Sequence, residues 1–155
     1  MPLPAFGISV VPSFRSPCTC FHLRRATRRV TQIYDHELAV VDLSLNQYTI
    51  LRRAGESPRT LGSLADELGM DRTTLTRNLK PLLAAGLLIE TRGEDARQRL
   101  LQLGDAGRAR LEAARPHWQR AQQAIDEAFG RDAVARLHAD LETLTERLHA
   151  LEPVR

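Results

Sequence analysis

The sequence predicts a mainly α-helical protein with a small two- to three-stranded wing, in which a winged helix-turn-helix lobe sits between long amphipathic helices. Three observations carry this reading. Apolar residues recur at steps of three and four toward both ends of the chain. The stretch TLGSLADELGMDRTTLTRNL, residues 60–79, holds two short helical patterns joined at Gly69. After Gly86 the period shortens to that of strands, in LLIETR and RQRLLQL around GEDA, which reads as a hairpin.

Composition bounds the answer before any motif does. A chain of 155 residues with 43% hydrophobic content fits a single compact domain. Aromatics make up only 5%, so the core must be built from Leu, Ala, Val and Ile. A net charge of +3 and a pI near 9.4 allow an acidic partner without demanding one. Lys80 is the only lysine, so the positive charge is carried by arginine, whose planar fork suits phosphates and guanine edges. No apolar run approaches the roughly 20 residues of a membrane span. The start MPLPAFGISVVPSF shows neither a basic leader nor a long apolar run before a cleavage site. A soluble, cytoplasmic protein without a membrane partner is expected.

The elements follow in order. Residues 1–17 carry Pro2, Pro4, Pro12 and Pro17 around a short apolar patch with no burying period, and read as a flexible arm. Residues 18–43 form a first helical segment. Within it, Leu23, Ala26, Val30, Ile33, Tyr34, Leu38 and Val41 define an amphipathic helix from about Thr19 to Val41. A short helix runs from Leu45 to about Ala54, capped by Ser44 and stopped by GESP. Thr60 can cap the next, whose inward residues are Leu61, Leu64, Ala65 and Leu68; Gly69 ends it and Asp71 caps its successor. Residues 44–104 thus form the reading lobe and residues 105–152 the C-terminal helices. Leu111, Ala114, Trp118, Ala121, Ile125 and Phe129 make one stripe; Val134, Leu137, Leu141, Leu144, Leu148 and Leu151 make another with the heptad spacing of a helix that packs along a partner.

The helix after Asp71 is composed against its own propensity. Threonine lowers helix stability by up to about 0.7 kcal/mol per residue, and an interior proline such as Pro81 by about 3 kcal/mol. At about 100° per residue, Leu75, Leu79, Leu82 and Leu83 fall on one side. Thr73, Arg77 and Lys80 fall opposite, flanked by Thr74, Thr76 and Pro81. Hydroxyls, methyl groups and cations without a carboxylate suit phosphates, base edges and thymine methyls in a major groove about 12 Å wide. A solvated helix face could share this composition. The neighbouring hairpin makes the pattern more specific: Arg92, Arg97 and Arg99 cluster at its tip, and Asp95 is placed to brace Arg97 as it enters a minor groove. The expected partner is double-stranded DNA.

At these residues the chain resembles the MarR family of bacterial transcription regulators, over about residues 18–152. The likeness is carried by LGSLADELGMDRTTLTRNLKPLLAAGLL, by the wing RGEDARQRLLQLGDAGRARL with its Asp-x-Arg pair Asp95 and Arg97, and by the long helices at both ends. It implies an intertwined helical dimerisation base made of residues 19–41 and 105–151, hence a homodimer, more often a repressor. Two recognition helices about 34 Å apart then imply an inverted-repeat operator. Gly104 departs from the family pattern, which usually has a capping Thr there, so Asp105 is expected to take over the cap. Pro81 is also unusual, freeing the carbonyl of Arg77 and bending the last turn near Lys80.

The resemblance further implies release by a signal: a small lipophilic or phenolic effector between base and lobe, or oxidation of a thiol near the first helix. Cys18 and Cys20 stand at the start of that helix beside Arg24 and Arg25, a setting that favours thiol reactivity. They are too few for a disulfide scaffold and too close for an unstrained bridge, and inert packing is the plainer reading. With His22 they offer three soft ligands, but a helix would splay them and a closed zinc site needs a fourth, so no metal and no cofactor is predicted. His36, His117, His138 and His149 are expected on solvated helix surfaces, and Trp118 in the core or the dimer interface. No Gly-rich phosphate loop, nucleophile with a base, or paired carboxylates point to an enzyme. A winged-helix protein interaction module without DNA binding, and a thiol-based redox protein, are the alternatives.

Overall fold

A computed structural model describes residues 16–93, 95 and 98–151. The arm predicted over residues 1–17 therefore lies outside the described residues except for Ser16 and Pro17, and so does Arg97. The elements are α1 (Thr19–Leu38), a 3₁₀ turn (Ala39–Val41), α2 (Leu45–Glu56), α3 (Leu61–Leu68), α4 (Arg72–Ala84), β1 (Leu88–Arg92), β2 (Arg99–Leu103), α5 (Asp105–Phe129) and α6 (Arg131–His149). The chain is thus mainly α with one small antiparallel wing. No helix among the described residues is long and apolar enough to cross a membrane.

Each helix of the lobe starts where a side chain satisfies its first free amides. Ser44 and Gln47 form a reciprocal capping box on α2. Asp35 of α1 adds a further acceptor, taking the Leu45 N–H at 2.7 Å and so tying the end of one helix to the start of the next. Thr60 caps α3 through Ser63 N–H, and Gly69 closes it in the left-handed region at φ 59°. Helix α2 runs two residues past the expected Ala54, to Glu56, where Arg53 pairs with Glu56 at 3.1 Å.

Helix α1 ends earlier than the periodicity implied. It stops at Leu38, and residues 39–41 tighten into a 3₁₀ turn because Asp42 adopts a left-handed conformation at φ 55°. Its N–H bonds back to Ala39 O, and Leu43 N–H to Leu38 O, which turns the chain sharply into α2. Arg110 of α5 clasps this corner by donating to Val41 O at 2.8 Å.

The core gathers inward faces of α1, α2, α3, α4 and the wing. Leu38, Ile50, Leu51, Leu64, Leu75, Leu82 and Leu88 are fully enclosed, each removing a side chain from water for about 2 kcal/mol. The wing pairs Leu88 with Leu103 and Arg92 with Arg99 at its two ends. A single bridge between Arg59 and Leu101, with reciprocal bonds of 3.0 and 2.7 Å, supplies a minimal third strand. On α5, Ala114 and Ala121 are buried and Leu111, Trp118 and Ile125 are half-buried, whereas Phe129 is 58% exposed. Phe21, Leu23 and Val30 of α1, with Leu137 and Leu148 of α6, also stand open in the single chain. Pro81 and Pro116 both lie inside helices that continue past them.

The start of α5 corrects one expectation. Asp105 does not cap the helix: it is the first helical residue, Gly104 is the N-cap, and no side-chain cap bond forms. The reason lies in a close backbone approach. A Cβ on Gly104 would come within 2.6 Å of Gly86 O, and one on Gly107 within 2.0 Å of Leu87 O. The Thr usual at position 104 would not fit. Gly107→Ala is expected to lower unfolding free energy by about 2–3 kcal/mol, because the methyl group meets backbone that cannot rotate away; the urea midpoint measures it, and a midpoint within error of wild type would contradict the close approach.

Candidate nucleic-acid interface

Burial of Leu75, Leu79 and Leu82 against the core turns the opposite face of α4 to solvent. Thr73, Thr76, Arg77 and Lys80 are exposed on it and Thr74 is half-buried. The three threonines differ in what their hydroxyls do. Thr74 donates its N–H to Asp71 Oδ1 at 2.8 Å and its hydroxyl to Oδ2 at 2.6 Å, completing the N-cap. Thr76 donates to Arg72 O at 2.7 Å. Thr73 makes no such bond among the described residues and keeps a free donor beside Arg77. Asn78, absent from the sequence reading of this face, donates to Thr74 O at 2.9 Å and holds the same turn. Both Thr74 donors stabilise the Asp71 carboxylate, which holds its pKa below the ordinary value.

The wing carries Arg92 and Arg99 directly across from each other, both exposed. Arg99 Nη1 lies 3.1 Å from Glu90 Oε2. Glu90 was not among the sequence candidates, although it is the diagonal same-face neighbour of Arg99 once the register is known. The turn beyond is closed by Gly93 N–H to Gln98 O and Gln98 N–H to Asp95 O, both 2.8 Å. Asp95 is exposed at this tip; its predicted brace to Arg97 falls outside the described residues with Arg97 itself. Between α4 and the wing runs a groove of about 410 Å³ lined by Leu61, Thr76, Lys80, Leu83, Glu90 and Arg99, among others. The fold thereby brings Lys80 of the helix and Arg99 of the wing to one trough.

Two further sites lie away from this face. Between α2 and α5, a cleft of about 290 Å³ is lined by Tyr48, Arg52, Leu111, Arg115, Trp118 and Gln119. Trp118 stacks on Tyr48 with centroids 6.1 Å apart, approaches Tyr34 at 6.0 Å, and has the Arg52 guanidinium 5.8 Å from its ring. Burial raises the pKa of both tyrosines, so both phenols are neutral at physiological pH. At the other end, Cys18 is the N-cap of α1 and Cys20 lies in its first turn, both exposed. His22 Nε2 donates to Ser16 O at 2.7 Å, so this ring serves the helix start. Among the described residues no three His, Cys, Asp or Glu side chains converge on a metal-sized point.

Comparison with known proteins places these features in context. A helix-turn-helix domain family model matches residues 44–92. The structure of the Mycobacterium tuberculosis transcriptional regulator MosR in complex with DNA matches with 33% identity and a TM-score of 0.78, covering 88% of this chain and 99% of that one. The transcriptional repressor CouR, bound to a 23-mer DNA duplex, matches with 31% identity and a TM-score of 0.75, over 83% of this chain and 92% of its own. Escherichia coli MarR shares the fold at 21% identity, with a TM-score of 0.69 over 84% of this chain and 98% of its own. No curated protein sequence matches the chain significantly.

Because the folded pKa of Asp71 is depressed, its capping charge stabilises the fold above the ordinary carboxylate value of 3.8 and that contribution is lost as pH falls through the folded pKa. Asp71→Asn is expected to unfold at lower urea than wild type at pH 7, with the gap closing at acid pH. A gap that stays constant down to the lowest pH would show that the charge is irrelevant.

Proposed function

Since the chain belongs to the MarR family of transcriptional regulators, we propose that it is a homodimeric, sequence-specific DNA-binding regulator that represses from an inverted-repeat operator. One observation carries the reading. The Thr73, Arg77 and Lys80 face is turned outward by a buried leucine seam and shares a trough with Arg99 of the wing. In this reading α4 lies in a major groove, where Arg77 reads base edges and Lys80 meets a phosphate. Thr73, Thr74 and Thr76 offer methyl groups and hydroxyl oxygens, Thr73 a donor as well. Arg92, Arg97 and Arg99 take the flanking backbone and minor groove, with Asp95 orienting the tip.

Residues 44–104 then form the reading lobe, with residues 18–43 and 105–152 as the dimerisation base and residues 1–17 as an arm. The open apolar residues of α1 and α6 support a second copy as the cover of that base. In this reading the protein acts on DNA in the cytoplasm and carries out no catalytic chemistry. A winged helix used only to bind another protein would leave the same basic face without a duplex.

Two features support control by a signal. CouR has been solved with p-coumaroyl-CoA, and the cleft of Tyr48, Trp118, Arg52 and Arg115 offers an aromatic slot with two cations at its mouth. A phenolic or other lipophilic anion fits that chemistry. The exposed thiols at Cys18 and Cys20 offer a second route, oxidation at the base.

Mobility shift with operator-bearing DNA at two salt concentrations tests the central claim: retention should be specific and fall steeply with salt, and no shift at low salt would favour the protein-binding module. Arg77→Ala should weaken operator binding about 10- to 100-fold and relax base preference, and Arg97→Ala should weaken it comparably with the dimer intact. Unchanged affinity in either variant removes that residue from the interface. Trp118 is the sole tryptophan, so a bound phenolic acid should quench its fluorescence. Arg52→Ala should weaken that ligand at least about fivefold by removing a charge-assisted contact; identical titrations would exclude the cleft.

A further inference from the structure

The residue that precedes the cap of α3 is tied to two elements at once. Arg59 pairs its backbone with Leu101 of β2 in both directions: its N–H donates to Leu101 O at 3.0 Å and its carbonyl accepts Leu101 N–H at 2.7 Å. Its side chain reaches the last turn of α3, where Nη2 lies 3.5 Å from Glu67 Oε2, and it also comes within 4.0 Å of Glu56 Oε2. Glu67 takes a second guanidinium on its other oxygen, with Arg53 Nε 3.4 Å from Oε1, and Arg53 Nη1 meets Glu56 Oε2 at 3.1 Å. Arg53, Glu67, Arg59 and Glu56 therefore close a ring of alternating charge across the end of α2, the linker and the end of α3. Arg59 Nε is buried and has no hydrogen-bond partner among the described residues, so the stem of this side chain is packed as well as its head paired. At one end of the ring, Glu67 stands two residues before Gly69, which opens the turn into α4. At the other, Leu101 lines the trough between α4 and the wing together with Lys80 and Arg99.

We propose that Arg59 is a positioning residue for DNA recognition: by holding Leu101 and Glu67 together it fixes the angle between the wing and the α3–α4 pair, so that Arg99 and Lys80 meet the duplex in one register. Helix α3 is about 12 Å long. It is held to β2 by backbone at its first end and to Arg59 by charge at its last turn, so it cannot pivot against the wing unless Arg59 releases one of the two. Partly exposed ion pairs add little to global stability because solvent screens them, so what the ring supplies is orientation. The charges also give the proposal a sign opposite to plain electrostatics. Removing a carboxylate from a lobe that binds a polyanion should raise affinity; where that carboxylate serves orientation, its loss lowers affinity. The proposal rests on the DNA-binding reading for its consequence, whereas the linkage of wing to α3 is a property of the free protein.

Arg59→Gln, Glu67→Gln and Arg59→Lys in the full-length protein test this, each leaving the backbone bridge chemically intact. In the free protein, hydrogen exchange followed by NMR at the Arg59 and Leu101 amides should quicken about tenfold in both Gln variants, while the Leu79 and Leu82 amides of α4 keep their protection. The DNA probe is a duplex that the wild-type protein selects from a random-sequence library. Arg59→Gln and Glu67→Gln should each weaken its binding about five- to tenfold. Arg59→Lys should cost less than about twofold, because both carboxylates approach the single atom Nη2 and an ammonium can stand there. In an Arg99→Ala background, where the wing contact is already lost, the two Gln replacements should likewise cost less than about twofold. Tighter or unchanged binding by Glu67→Gln, equal losses with and without Arg99, or unaltered exchange at Leu101 would overturn the proposal. A loss seen in Arg59→Gln alone, with a shallower salt dependence, would make Arg59 a phosphate ligand and overturn it as well. If the wild-type protein selects no duplex, the DNA-binding reading fails, and the exchange rates still decide whether Arg59 joins the wing to α3.

Discussion

The contact on which the structure depends is the seating of the first turn of α5 against the backbone at Leu87. That residue bonds in two directions: its N–H goes to Leu82 O at 2.9 Å and its carbonyl accepts Gly104 N–H at 3.0 Å. One residue thus joins the end of α4, the start of β1 and the start of α5. Gly86, left-handed at φ 67°, delivers the chain into this position. The close seating of α5 on the turn between α4 and β1 depends on what is missing, since Gly104 and Gly107 present no side chain where one would meet the carbonyl oxygens of Gly86 and Leu87. The contact between the start of α5 and the turn after α4 is therefore made by backbone on backbone.

Given that anchor, the composition of α4 becomes affordable on simple magnitudes. Its three buried leucines each contribute about 2 kcal/mol, against at most about 0.7 kcal/mol lost at each threonine. The Asp71 cap and the bonds from Thr74, Thr76 and Asn78 offset part of the remainder. The helix can carry residues chosen for what they present to solvent because its stability comes from the other side.

Charge is divided in the same way between architecture and recognition. Arg53 and Arg59 stitch α2 to α3 through Glu56 and Glu67, Arg110 clasps the corner before α2, and Arg120 ties α5 to Glu37 of α1. Arg24, Arg25 and Arg28 of α1 and Arg77 of α4 stand in no such ion pair among the described residues. In a chain with a net charge of only +3, this partition does more than the net value to single out the surfaces suited to anions.

Sequence alone determined the inward leucine face of α4, the caps of α2, α3 and α4, and where helix gives way to strand. Period, cap chemistry and turn residues are local and act within a few positions, so Ser44, Thr60, Gly69 and Asp71 announce their roles. Only the tertiary structure decided what each face meets. The end of α1 at Leu38 follows from the left-handed Asp42 and from the bond of Arg110 on α5 to Val41 O. The need for Gly107 comes from a carbonyl 20 positions earlier in the chain, and the Glu90 partner of Arg99 from a strand register. The aromatic cleft exists because α5 crosses α1 and α2, bringing Trp118 to Tyr34 and Tyr48. Periodicity states that a residue is buried; contacts across such separations arise only when the whole chain closes, because each depends on the packing of every helix between them.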